Sequence, residues 1–176
     1  MSNNTILIVD DDLEVLAFHQ KIFSAPRDAD FDILGSRDSA GGTGLTCNAF
    51  SDPRDLLEEY GEQVRNGERY PLCIIDMRMP VMSGLAVALR IRELDPGILI
   101  VICTAFSDIS PEELYAKLQT GVFFVRKPFV VDEFVLLIQS LVGNWNAQRA
   151  LESVKTALAT QVGKLEQVLE GTRVGT

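Results

Sequence analysis

The sequence predicts an α/β fold in which a parallel five-stranded sheet carries helices on its faces. Apolar runs of five or six residues alternate with amphipathic stretches of helical period, and this alternation is typical of βαβ units. Polar residues directly follow several of the runs, where the carboxyl ends of parallel strands would share one edge of the sheet. At 176 residues the chain is long enough for one such domain and an appended segment.

The first strand is predicted at Thr5–Val9 and the first helix at Asp12–Ser24. The helix assignment rests on Val15, Phe18 and Ile22, which recur on one face of a 3.6-residue period.

Two segments compete for the second strand. They are Phe31–Leu34 and Leu45–Phe50, and residues 36–44 between them form a turn-rich loop. The two segments could also pair as a hairpin, but we favour Leu45–Phe50 as the strand of the sheet. Residues 27–44 are an unusual addition between the first helix and this strand.

The start of the second helix is marked by Asp52 as its cap and Pro53 in its first turn, and the helix extends to about Asn66. A capping box formed by Ser110 and Glu113 begins the fourth helix. The remaining elements are predicted as strands Leu72–Ile75, Ile98–Cys103 and Val122–Val125, and as helices Gly84–Leu94 and Val131 to at least Val142.

The predicted domain covers residues 1–142, and residues 143–176 form a helical extension or a linker to an output domain. Leu151, Leu158 and Leu165 recur every seven residues in this extension, which predicts a short coiled-coil seam interrupted by Gln161. Val154 and Val168 occupy the complementary seam positions. The alternative is one amphipathic helix lying on its own domain, and we favour self-association into a homodimer.

The bulk composition excludes several classes of protein. A net charge of −9 and a pI near 4.6 argue against direct binding of nucleic acid. The three cysteines lack zinc spacing, and we expect Cys73 and Cys103 to be buried thiols in a reducing compartment. No targeting segment or membrane span is evident, so we expect a cytoplasmic protein that does not bind membranes.

Four short pieces at predicted strand ends carry the candidate chemistry. Asp10 and Asp11 follow the first strand, Asp76 the third, Thr104 the fourth and Lys127 the fifth. Together these side chains could hold a divalent metal and handle a phosphoryl group. Taken singly, each has an ordinary structural explanation, such as a helix cap or a surface lysine, but their joint occurrence in this order favours a site.

These pieces resemble the receiver domain of two-component response regulators, a CheY-like family. The resemblance covers about residues 5–142 and rests on the acidic pair after the first strand, the segment 75–84 around Asp76, and Lys127-Pro128-Phe129. It implies a flavodoxin-like fold with strand order 2-1-3-4-5, and a cis peptide bond between Lys127 and Pro128.

The resemblance also implies a role for each site residue. Asp76 would accept a phosphoryl group from a sensor histidine kinase or phosphotransfer protein. Asp11 would bind Mg²⁺ (or Mn²⁺) directly and Asp10 through water, with Asp76 and the backbone carbonyl of Arg78 completing the metal shell. Lys127 would contact a phosphoryl oxygen, as would the hydroxyl of Thr104.

A switch is implied in which Thr104 moves toward the phosphoryl group and Phe124 follows it inward, with room left by the small residue Ala105. Arg78 and Phe106 would influence how long the phosphoryl group lasts. The expected function is thus a signalling switch and not an enzyme, with at most weak self-dephosphorylation. Two alternatives remain: a phosphorylation-independent binding module, and a metal-dependent phosphatase, although the second Asp that such a phosphatase uses is missing after Asp76.

Overall fold

The computed structural model of the protein describes residues 3–24, 43–105 and 111–173. Within these ranges, five strands alternate with five helices. In chain order the elements are β1 (Thr5–Val9), α1 (Leu13–Ser24), β2 (Thr46–Phe50), α2 (Pro53–Arg65), β3 (Leu72–Asp76), α3 (Gly84–Leu94), β4 (Leu99–Thr104), α4 (Pro111–Leu118), β5 (Val122–Arg126) and α5 (Val131–Arg173).

The strands form one parallel sheet in the order β2-β1-β3-β4-β5, as predicted. Of the two candidates for the second strand, Thr46–Phe50 takes the position beside β1. Phe31–Leu34 lies outside the described residues, as does most of the addition at residues 27–44. Residue-by-residue pairing with β1 distinguishes the strand, and a short apolar run alone could not.

Two apolar layers enclose the sheet. One packs the sheet against α2 and α3 and includes Leu56, Val87 and Ile91. The other packs it against α1 and α5 and includes Leu16 and Phe134. The inner strands are apolar on both faces, as expected of a parallel sheet covered on both sides.

The buried face of α1 differs from the prediction. Leu16, His19 and Phe23 are the buried residues, whereas Phe18 is 38% exposed and Val15 and Ile22 are only partly buried. The predicted face was therefore wrong by about one residue. Apolar residues lie on two overlapping faces of this helix, so its periodicity could not select between them.

Helices α2 and α3 begin as their sequences suggest. The Asp52 side chain caps α2 by accepting a hydrogen bond from the amide of Arg54, and Pro53 takes the first turn. Ser83 caps α3 in the same way, through the amide of Ala86. Ser110, the predicted cap of α4, lies outside the described residues.

The last helix is much longer than the domain requires. α5 runs for 43 residues without a break, across the predicted boundary at 142/143, which stays a prediction. Leu151, Leu158 and Leu165 are 55–60% exposed. The predicted seam therefore does not pack on its own domain, and the alternative of a helix lying there was wrong.

Candidate functional site

Three carboxylates meet at the carboxyl ends of β1 and β3. Asp10 and Asp11 follow β1, and Asp76 ends β3, the strand that pairs with β1. One carboxylate oxygen from each residue lies within 4.8 Å of the others. Asp10 is 4% exposed and the Asp76 side chain 11%, whereas Asp11 lies in solvent. The three predicted carboxylates therefore lie together, and Asp11 is the most exposed of them.

Lys127 completes this cluster from β5. Its Nζ donates to Asp76 Oδ1 at 2.7 Å and to Asp10 Oδ2 at 3.1 Å. The peptide bond to Pro128 is cis, as predicted. One ammonium thus bridges two carboxylates from different strands, and the residues at positions 10, 76 and 127 form one charged unit.

Burial and charge compete within this unit. Burial raises the pKa of Asp10, although the amide of Asp12 and the ammonium of Lys127 act in the opposite direction. Burial lowers the pKa of Lys127, but its contacts with Asp76 and Asp10 outweigh that effect, and its pKa is raised overall. Lys127 is therefore charged at neutral pH, and it offsets part of the repulsion among the carboxylates.

The remaining predicted residues lie around Asp76. The backbone amide of Arg78 donates to Asp76 Oδ2 at 2.7 Å, so both carboxylate oxygens of Asp76 accept a hydrogen bond. Thr104 is 9% exposed and ends β4; its carbonyl accepts from the amide of Lys127 at 2.9 Å. Its hydroxyl donates to the carbonyl of the next residue, Ala105, at 2.9 Å.

Phe124 is partly buried on β5 and packs against the apolar layer on the α2/α3 side of the sheet. It also borders a shallow cavity of about 350 Å³ between β5 and the start of α5, which Phe129, Phe134 and Leu137 help to line. The cavity therefore adjoins β5 at Phe124, but most of its apolar lining belongs to the α1/α5 layer, on the opposite face of the sheet from the layer into which Phe124 packs. Phe106, the other aromatic residue considered, lies outside the described residues.

A buried histidine, His19 of α1, lies behind the site. His19 is 1% exposed, and neither of its ring nitrogens has a hydrogen-bond partner among the described residues. It stacks on Phe129, which follows the cis proline, and on Phe23 of its own helix. Burial lowers its pKa to about 4, so the imidazole is neutral at physiological pH.

The donor set indicates which metal ions the cluster could hold. All three side chains offer carboxylate oxygens, the hard ligands that Mg²⁺ and Mn²⁺ prefer. The exposed position of Asp11 leaves space for water, which Mg²⁺ retains in most protein sites. These residues therefore fit a hard divalent cation better than a soft one.

Comparison with known proteins places this geometry in a family. The model of the response regulator receiver domain matches residues 28–139. The chain belongs to that family. Receiver domains are regulatory phosphoacceptors and not classical enzymes. The match begins after β1, so Asp10 and Asp11 lie outside the matched residues.

Curated relatives share only this part of their length. The DNA-binding transcriptional regulator NtrC of Escherichia coli K12 is 30% identical over 115 residues, which are 65% of this chain and 23% of that protein. The transcriptional regulatory protein GlrR of the same strain is 30% identical over 134 residues, or 76% of this chain and 30% of that protein. The chain thus spans less than a third of the length of either relative.

Solved receiver structures share the fold. A CheY-like receiver from Methanospirillum hungatei JF-1 is 18% identical with a TM-score of 0.61, covering 84% of this chain and 99% of that chain. NtrX from Brucella abortus is 19% identical with a TM-score of 0.60, covering 85% of this chain and 29% of that one. At this identity the likeness shows the strand order and helix packing alone.

Where the structure describes the chain, none of its helices combines the length and apolar character that a membrane crossing requires.

Proposed function

We propose that the protein is a phosphorylation-dependent switch in which Asp76 accepts a phosphoryl group from a histidine kinase or a phosphotransfer protein. The observation that carries this proposal is the contact of one carboxylate, Asp76, with both Lys127 and the amide of Arg78, beside two further carboxylates. A cytoplasmic location belongs to the same proposal.

In the reaction, a carboxylate oxygen of Asp76 attacks the phosphorus of the donor. The bond from phosphorus to the donor nitrogen breaks, and that nitrogen keeps the electron pair and takes up a proton. The product is an acyl phosphate on Asp76. Because a carboxylate is a weak nucleophile, positioning and neutralisation of the phosphoryl oxygens must supply most of the rate. Lys127 Nζ, 2.7 Å from Asp76 Oδ1, provides a fixed positive charge for this purpose.

Asp10, Asp11 and Asp76 would hold Mg²⁺, and the backbone carbonyl of Arg78 stays a predicted fourth ligand. When bound, the cation supplies positive charge for the phosphoryl oxygens. Two hydrogen bonds hold the Asp10 carboxylate in place and favour its charged form. Lys127 donates one of them, and the amide of Asp12 donates the other to Asp10 Oδ1 at 3.0 Å.

The switch would run from Thr104 to β5. The carbonyl of Thr104 accepts from the amide of Lys127, so the two residues are already joined through the backbone. A hydroxyl drawn toward the phosphoryl group would leave space beside Ala105, and Phe124 would move into it. The bistable element is then the surface formed by α4, β5 and α5.

Output would pass along α5 to a second copy of the chain. Leu151, Leu158 and Leu165 repeat every seven residues and remain 55–60% exposed, with Val154 and Val168 beside them. A parallel, in-register pair places Gln161 opposite the partner copy's Gln161, where the two amides can bond to each other. A central polar residue of this kind specifies register in coiled coils. An antiparallel pair would place Gln161 against leucine.

Intact mass tests the acceptor chemistry. Incubation of the protein with Mg²⁺ and acetyl phosphate is expected to add one phosphoryl group, and Asp76→Asn is expected to add none. Phosphorylation of both would reject Asp76 as acceptor. Phosphorylation of neither, while both remain folded, would favour a phosphorylation-independent binding module or a donor restricted to the kinase, and Mg²⁺ titration would separate these two.

Analytical sedimentation tests whether two copies of the chain associate through α5. Leu158→Glu is expected to reduce self-association, because it introduces a charge into the seam. Ala159→Glu, an exposed neighbour on the same helix, is expected to retain it. Equal behaviour of the two variants would contradict pairing through the seam.

A further inference from the structure

A second network of polar contacts lies at the opposite edge of the sheet from the acidic cluster. It centres on the turn Asp95–Ile98 between α3 and β4. Three successive carbonyls of this turn accept from side chains of two helices. Arg92 Nη1 of α3 donates to Pro96 O at 2.7 Å and to Ile98 O at 2.8 Å, and Trp145 Nε1 of α5 donates to Gly97 O at 3.1 Å.

The turn itself is fixed from within by Asp95, which is 6% exposed. Asp95 Oδ1 accepts from the amide of Gly97 at 2.8 Å, and Oδ2 accepts from the Tyr60 hydroxyl of α2 at 2.9 Å. Arg69 Nε lies 3.7 Å from the same Oδ2. Because buried polar groups that are satisfied in this way hold one geometry, the turn is a rigid point in the fold.

Arg92 extends the network to the switch side of the molecule. Its Nη2 donates to Thr120 O at 2.9 Å, in the connection that leads from α4 into β5. The same guanidinium therefore binds the turn and the connection that leads into β5, the strand that carries Phe124 and precedes Lys127. A rigid planar fork can bridge three carbonyls in this manner, whereas an ammonium cannot reproduce its fixed geometry.

Trp145 is the last buried side chain of α5 before the helix leaves the domain. The next residue, Asn146, ties the helix to the chain start: its Oδ1 accepts from the amide of Asn3 at 2.9 Å and its Nδ2 donates to Asn3 O at 3.1 Å. The Arg149 guanidinium covers the indole at 4.7 Å from the ring centroid. Beyond this point the large apolar side chains of α5 are exposed.

We propose that the Asp95–Ile98 turn, bound by Arg92 and Trp145, is a clasp that couples the start of β5 to the point where α5 leaves the domain. The clasp sets the direction in which the helical extension leaves the domain. A movement of β5 is transmitted through the clasp and changes that direction. Its role in signalling rests on the proposed phosphorylation switch. Arg92 and Trp145 act as positioning residues, because neither lies at the acidic cluster.

The single tryptophan makes the clasp observable, since Trp145 emission reports on the indole alone. We would phosphorylate the full chain with acetyl phosphate and Mg²⁺, and record intact mass and Trp145 emission on the same sample. The wild type is expected to change its emission in proportion to the phosphorylated fraction. Arg92→Lys is expected to reach the same phosphorylated fraction with at most half of the emission change.

Arg90→Lys is the matched control, because Arg90 lies on the same helix and makes an exposed ion pair with Glu93. It is expected to behave as the wild type. A full emission change in phosphorylated Arg92→Lys would overturn the clasp, and so would an unchanged emission in fully phosphorylated wild type.

Two measurements test the clasp without phosphorylation, so its failure is distinguishable from failure of the proposed function. Acrylamide is expected to quench Trp145 more strongly in Arg92→Lys than in Arg90→Lys. Trp145→Phe keeps an aromatic ring but loses the donor, and amide exchange in residues 143–150 is expected to be faster than in the wild type. Trp145→Phe still tests the clasp if Arg92→Lys does not fold. Equal quenching in the two arginine variants, or equal exchange in Trp145→Phe and wild type, would overturn the clasp.

Discussion

Gly84 approaches Asp76 so closely that a Cβ atom added to the glycine would lie 2.2 Å from the carbonyl oxygen of Asp76. The amide of Gly84 also donates to Met77 O at 3.0 Å. The first residue of α3 therefore packs directly on the backbone at the carboxyl end of β3. The three atoms nearest to that Cβ all belong to the backbone of Asp76 and Met77, so none can rotate away from a larger residue.

Gly84→Ala is expected to lower the free energy of unfolding by about 1–3 kcal/mol, the usual cost of overpacking. It should also reduce labelling of Asp76, because the strand end must shift. Urea unfolding and intact mass check these two effects. Gly143→Ala is the control, since no atom lies within 4 Å of the added Cβ, and it is expected to stabilise α5 by about 0.5–1 kcal/mol. Equal stability and labelling in Gly84→Ala and wild type would contradict the close approach.

Lys127→Ala is expected to slow phosphorylation by acetyl phosphate about 100-fold or more, the usual effect of losing a charged donor at a reacting centre. Mg²⁺ binding should be retained or tighter, because the ammonium no longer competes for Asp10 and Asp76. Labelling rates and calorimetric titration separate the two effects. Lys117→Ala, an exposed lysine on α4, should leave both unchanged. A normal labelling rate in Lys127→Ala would show that Lys127 does not assist the phosphorylation.

Asp11→Asn is expected to weaken Mg²⁺ binding at least about 10-fold, since one carboxylate ligand loses its charge. Stability should hardly change, because Asp11 is exposed. Asp12→Asn makes the same charge change one residue later, where the side chain caps α1 by accepting from the amide of Glu14 at 2.8 Å. Its Mg²⁺ affinity should be close to that of the wild type. Similar losses of Mg²⁺ affinity in both variants would show that Asp11 acts through its charge alone and does not coordinate the ion.

His19 is expected to make stability depend on pH. Its pKa is lowered from 6.5 to about 4 by burial, so the unfolded chain binds a proton that the folded chain rejects. The free energy of unfolding carries no penalty from His19 above about pH 6.5. It falls by up to about 3 kcal/mol as the pH falls toward about 4.

Urea unfolding at several pH values checks this effect against His19→Phe, which fills the aromatic cluster without a titrating group. The wild type should lose up to about 3 kcal/mol more than the variant between about pH 7 and about pH 4. Parallel pH profiles for the two proteins would show that the imidazole does not titrate as its burial requires.

The sequence predicted the fold and the site where local signals were strong. Strand ends carry Asp76 and Lys127 to one edge whenever the strands are parallel, so the alternation predicted that they share an edge, and the family resemblance supplied the strand order. Asp52 and Pro53 marked the start of α2 for an equally local reason.

Features that depend on distant residues were not predictable. His19 is buried because Phe129 and Phe134, more than a hundred residues later, pack against it. The contacts of Arg92 and Trp145 end on backbone carbonyls, which leave no signal in the sequence. The helical extension beyond residue 142, by contrast, was predicted from its own seven-residue leucine repeat, which is a local signal, and it is confirmed.

The most direct test of the account is chemical trapping of the acyl phosphate with borohydride, followed by peptide mass spectrometry. Borohydride reduces an aspartyl phosphate to homoserine and leaves a free carboxylate unchanged. After treatment with acetyl phosphate and Mg²⁺, the account predicts homoserine at position 76 and at no other position. Homoserine at Asp10 or Asp11, or unmodified Asp76 in protein whose mass shows a phosphoryl group, would contradict it.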